Sequence, residues 1–252
     1  GTPMTARLHL LPIFALAACG GEYDGEQVES RQQQLKAKPA QTEGGVPARL
    51  PGSKVVMAPQ YEQELVEQQA VQGGAIAAEL PTLIYMNRKG GVFSPGNNNA
   101  ANNTSTLVQS TVSIPPAQIS DADWNQVMAC FRQQFSAFNV DVTDVDPGSV
   151  PHFESVVAGR PELIGMDPGV GGVSPFTSSC DFIPNSVVFT FSDVLPNNPQ
   201  IICEVAAQEV AHSFGLDHEY LCSDPMTYLT GCGAKSFQDV AADCGEGFAR
   251  PC

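Results

Sequence analysis

The residues best suited to chemistry cluster in 205-VAAQEVAHSFGLDHEY-220. Gln208 and His212 are four apart, so on a helix their side chains leave one face on consecutive turns, where one metal ion would meet both. Glu209 sits beside them, where a carboxylate takes a proton from a metal-polarised water. Gly215 frees the backbone to turn, and His218 then approaches the same point from beyond the helix. The weak member of this set is Gln208, whose amide oxygen is neutral and a poorer zinc donor than imidazole. Two other histidines exist. His9 falls in the N-terminal segment, and His152 precedes a strand, where a structural role is expected and a substitute ligand is the alternative. For His212 and His218 themselves, the alternative to metal binding is a hydrogen-bonded pair in a metal-free site.

The elements that must position these groups are legible from punctuation and periodicity. The segment 197-NNPQIICEVAAQEVAHSFG-215 carries Asn198 as N-cap, Pro199 in the first turn and Gly215 at C′. A second helix is predicted over 120-SDADWNQVMACFRQQFSAF-138, with Ser120 and Asp123 as a capping box and an apolar stripe of Trp124, Val127, Met128, Phe131 and Phe135. Strands are predicted near 80–87, 139–145, 153–159 and 186–191, and 165–176 is read as an edge or loop because of its Gly and Pro content. The run 94-SPGNNNAANNTS-105 reads as a loop or disordered insertion. Asp141, Asp144 and Asp146 lack the spacing of a calcium loop and are read as a solvated turn before Pro147. Together these elements give an α+β domain, an α/β-type sandwich with a twisted mixed sheet, a long backing helix and a site helix.

The run Glu209, His212, Gly215, His218 resembles the metzincin signature H-E-x-x-H-x-x-G-x-x-H, with Gln208 where its first histidine stands. Met226 in 224-DPMTY-228 is similar to that family's Met-turn. The resemblance implies a zinc endopeptidase. His212 and His218 would be metal ligands, with Gln208, Tyr228 or a more distant group as the third. Glu209 would be the general base, Met226 the floor of the site, and Tyr228 a metal-binding or oxyanion-stabilising hydroxyl. It also implies that 165–176 offers an edge on which an extended protein or peptide substrate pairs. The alternative is a protease-fold protein that binds peptide or protein partners without turnover.

Composition bounds the setting. A chain of 252 residues, 42% hydrophobic, is long enough for one sizeable core, and its formal net charge of −15 argues against nucleic acid and anionic membrane surfaces as partners. Residues 1–19 read as a lipoprotein signal: Arg7, an apolar Leu8–Ala18 run, and 16-LAAC-19, which resembles a bacterial lipobox with Cys19 as the acylated residue. Membrane attachment is expected only through that anchor, at the bacterial envelope, on the outer membrane or cell surface. Residues 20–74 read as a linker, with a propeptide covering the site as the alternative, and 75–252 as the catalytic domain. Beyond Cys19 the cysteines at 130, 180, 203, 222, 232, 244 and 252 are an odd set suited to disulfides in an exported protein. Cys222–Cys232 and Cys244–Cys252 are the expected pairs, leaving at least one thiol free or paired with another chain.

Overall fold

The computed structural model describes residues 53–57, 81–177 and 179–250, the first of these by backbone alone. The signal segment 1–19 with Cys19, the rest of the 20–74 segment apart from 53–57, and Cys252 lie outside the described residues. Among the described residues, no helix is long and apolar enough to cross a membrane.

Two α-helices are present among the described residues, both begun as the caps predict. In α1, Asp121–Gln134, Ser120 Oγ accepts the Asp123 amide at 3.1 Å and donates to the Asp123 carboxylate at 2.7 Å. In α2, Pro199–Ser213, Asn198 Oδ1 accepts the amides of Gln200 and Ile201, and Pro199 occupies the first turn. The end of α2 is a Schellman motif: Gly215 N–H donates to His212 O, and Leu216 N–H to Ala211 O. Gly215 has φ +89°, and a Cβ there would collide with the carbonyl oxygen of Cys180, so no other residue fits this turn without strain.

The strands form a six-stranded mixed sheet in the order β1(Ser53–Met57), β8(Gly172–Phe176), β9(Val187–Thr190), β7(Phe153–Val157), β2(Thr82–Asn87), β6(Val140–Thr143). Neighbours are parallel except β8 and β9. Period-2 alternation sends Ile84, Met86, Phe153, Val157 and Val188 to one face, where they pack on Trp124, Val127, Phe131, Ile202, Val205 and Ala206 of the helices. Val156, Val187 and Phe189 point to the other face and meet Phe93 and Ile114. Those two belong to a small sheet, β3(Gly91–Pro95) with β4(Thr104–Ser105) and β5(Val112–Ile114). The chain is thus a mixed α/β fold, consistent with the α+β class expected.

Three regions depart from the sequence reading. The Asn-rich run is ordered: Asn98 Oδ1 accepts from Ser105 Oγ, Thr106 N and Thr106 Oγ1, and Asn103 adopts the left-handed conformation at φ 52° that asparagine tolerates. Its asparagines are turn-builders that tie β3 to β4. Part of 20–74, residues 53–57, is strand β1, and it lies in register on β8 from Ser53↔Gly172 to Met57↔Phe176. For that reason β8 is not an edge. It is held between β1 and β9, and all of its residues are buried. Where Pro175 cannot donate to a ladder, the strand is flanked on one side by this short parallel partner.

The helices are stapled by Cys130–Cys203, a pair the sequence reading did not single out, and Cys222–Cys232 is formed as expected. Cys180 and Cys244 are also disulfide-bonded, so no described cysteine is a free thiol.

Candidate active site

Helix α2 is buried along Ile202–Ser213, so its polar residues Gln208, Glu209 and His212 are carried into the interior. The five side chains named from the sequence, with Met226, are all buried: Glu209 and His212 are 0% exposed, His218 and Met226 3%, Gln208 4% and Tyr228 6%. The expectation that His218 returns to the helix holds geometrically. His212 Nε2 and His218 Nε2 are 3.1 Å apart, with ring planes at 89°. The Tyr228 ring lies against His218 with centroids 4.3 Å apart and planes tilted at 47°.

The protons of this pair are set by its outer contacts. His212 Nδ1 is 2.7 Å from Leu216 O, and a carbonyl only accepts, so Nδ1 carries the proton and Nε2 a lone pair. Burial, then the neighbouring His218, push the His212 pKa down to about 3, which keeps that ring neutral. His218 Nδ1 faces the Glu246 carboxylate at 3.4 Å. With a proton on each Nδ1, two lone pairs meet across 3.1 Å. A neutral His218 with its proton on Nε2 instead donates to His212 Nε2 across that distance, whereas the Nδ1–H form leaves the two lone pairs to a shared cation. Two nitrogens bound at ~2.05 Å to a tetrahedral ion stand roughly 3.3 Å apart, so the spacing suits two positions of a zinc shell. The donor chemistry for a third is Tyr228 or Gln208.

Gln208 has a definite job of its own. Its Nε2 donates to Pro225 O at 2.8 Å, tying α2 to the residue before Met226. This leaves Oε1 as the ligand-type atom of the amide. Around Met226 the backbone is held by Asp224, whose two carboxylate oxygens accept the amides of Met226 at 2.8 Å and Gln238 at 2.7 Å. Lys235 reinforces it, donating from a buried ammonium to Thr227 O and Leu229 O. Glu219, beside Asp224, is pushed up to about 8 by burial and then by the Asp224 charge. The Met226 loop is therefore a rigid floor built by hydrogen bonds that hydropathy does not reveal.

Glu209 is packed over β8. A Cβ on Gly172 would come within 2.5 Å of Glu209 Oε1, so that glycine makes the room the carboxylate occupies. Ser174 Oγ bonds Ser213 Oγ at 3.1 Å, and Phe176 meets the edge of the His212 ring at 5.8 Å, so β8 runs along the whole site end of α2.

A second convergence shares His218: ligand atoms of Asp217, His218 and Glu246 lie within 4.8 Å of one another. Its carboxylates already have a cation. Arg250 donates to Asp217 Oδ2 at 2.9 Å and to Glu246 Oε1 at 3.3 Å. This triad reads as the support that orients the His218 ring. Asp217 could have been suspected as the neighbour of His218, whereas Glu246 and Arg250 follow no spacing that announces them. His152 is not brought to the site. It is buried against Tyr85, with Nδ1 donating to Val150 O at 2.6 Å, as the structural reading expects. Asp141, Asp144 and Asp146 form no ligand cluster among the described residues. Asp144 accepts the Trp124 indole N–H at 3.0 Å, and Asp146 accepts Gly148 N–H at 2.7 Å in the turn.

No family model matches the chain, and no curated protein matches it in sequence.

Proposed function

We propose that the chain is a metzincin-like zinc endopeptidase, held at the bacterial envelope through Cys19 and acting on peptide bonds of proteins. The observation that carries this reading is the approach of two buried imidazole Nε2 atoms to 3.1 Å, with a buried glutamate three positions before His212 on α2. His212 and His218 would hold the metal, with Gln208 Oε1 or Tyr228 completing the set. Zinc, when bound, supplies a Lewis acid that makes water nucleophilic at neutral pH. Glu209 then takes the proton of the attacking water and returns it to the leaving amine. Tyr228, against the His218 ring, is suited to donate its hydroxyl to the developing oxyanion. The Asp224 and Lys235 contacts fix the backbone on both sides of Tyr228, and so hold its ring against His218.

The test is cleavage of unstructured protein by the full chain. Glu209→Ala is expected to abolish turnover, by at least about a hundredfold from loss of general base catalysis, with zinc still bound. Cleavage indifferent to that change would contradict the mechanism.

A second reading is favoured by the Gln208–Pro225 bond and by the complete burial of Glu209: a non-catalytic lipoprotein that binds peptide or protein partners. Gln208→His separates the two. A gain of zinc and cleavage only in that variant would make the natural chain a binding protein on a protease fold.

A further inference from the structure

The face of the large sheet turned away from the helices should be apolar where the small sheet covers it, and along Val156, Val187 and Phe189 it is. At its β2–β7 side it is not. Tyr85 and Glu154 are register partners on adjacent parallel strands, Asn87 follows on the same face of β2, and His152 precedes β7. These four side chains are all at most 5% exposed. They line a cavity of about 400 Å³ that opens to solvent, whose other lining residues include Gly90, Ala100–Asn103 and Asp146.

Acceptors dominate this cavity. Glu154 is 2% exposed, and its Oε1 accepts the Asn87 amide at 2.7 Å. Its Oε2 is buried and accepts no hydrogen bond among the described residues. Such an atom costs about 1–3 kcal/mol, more when charged. His152 donates from Nδ1 to Val150 O, so the neutral ring keeps its Nε2 as a further acceptor. Asp146 stands at the rim, and the Tyr85 and His152 rings, 6.0 Å apart, offer π faces. The single cationic side chain of the lining, Lys89, is exposed. No three carboxylate or imidazole ligand atoms here lie within 4.8 Å of one another, so the set is too open for a bare metal ion and suits a larger cation.

The geometry points to a binding site for a small primary alkylammonium, with Glu154 as its counter-ion and the Tyr85–His152 pair as its wall. Three N–H donors on one charged head match the surplus of acceptors. Burial pushes the Glu154 carboxyl up to about 7, against the Asn87 bond and helped by the Asp146 charge. A bound ammonium would reverse that penalty. The site lies on the opposite face of the sheet from His212 and does not depend on the proposed hydrolase.

The experiment titrates the isotopically labelled full chain with n-butylammonium chloride and, in parallel, with n-butanol, followed by NMR. The buffer is held about one unit above the Glu154 value so that the carboxyl is ionised. Saturable shifts at Tyr85, Asn87 and His152 with the amine and not the alcohol are expected, with affinity falling about tenfold or more in Glu154→Gln. An amine that leaves those resonances unmoved overturns the proposal. So does an alcohol that moves them equally, or equal amine affinity in Glu154→Gln. The mapping on the natural chain decides the matter even if the variant does not fold.

Discussion

Glu154 also makes a prediction about stability, because a buried carboxyl is linked to pH. Its value is about 7 in the fold against 4.5 as a free side chain, so the folded state holds a proton that the unfolded chain releases first. Stability contributed by the protonated form is therefore full below about 4.5 and is lost as pH rises to about 7, by about 3 kcal/mol in total. Glu154→Gln should flatten that slope in urea unfolding followed across this window. An unchanged slope would show that the carboxyl is not the linked group. At the site, Gly172→Ala is expected to fold but to drive the Glu209 carboxylate from its position, lowering cleavage more than zinc content. Equal loss of both would mean the whole site had collapsed. Single residues were unevenly legible. His212, His218 and Glu209 stand out because their spacing matches what a helix-borne metal site would require. The Gln208 contact with Pro225, the Arg250 clamp and Gly172 are tertiary facts, set by which backbone atom happens to pass each side chain.

At the scale of elements, the helices were readable and part of the sheet was not. Caps and 3.6 periodicity mark α1 and α2 locally, so Ser120, Asn198 and Gly215 take up the roles their types predict. The small sheet was hidden because asparagines that bond to neighbouring backbone look, in sequence, like asparagines in a loose loop. Strand β1 was hidden because a five-residue strand in a polar segment acquires its identity from β8. That pairing has a consequence for the proposed hydrolase. A chain lacking residues through 57 exposes the outer edge of β8 beside the site, and an extended peptide can pair there. Faster cleavage of peptides by the truncated chain than by the full chain is expected, measured at equal zinc content. Equal or slower cleavage would mean that β8 does not receive substrate. The Cys130–Cys203 bond closes a span of 73 residues between the two helices, for which chain entropy gives about 4 kcal/mol. Replacing both by serine should lower unfolding free energy by roughly 2–4 kcal/mol in denaturant melts, and no loss would indicate a strained or redundant staple.

On the scale of the whole molecule, one sheet separates two polar centres. The helix face buries the His212–His218 pair under α2 and the Met226 loop, while the opposite face holds the Glu154 cavity under the small sheet. Each centre is a place where polar groups are buried in a core, and such groups persist where something compensates their desolvation. The central claim is that a metal does so for the histidines. It is tested most directly by the zinc content of the full natural chain, purified without chelator and compared with His212→Ala. About one zinc per chain is expected, lost in the variant. A natural chain that folds and remains free of zinc when the metal is supplied would contradict it, leaving the imidazole pair bridged by a proton.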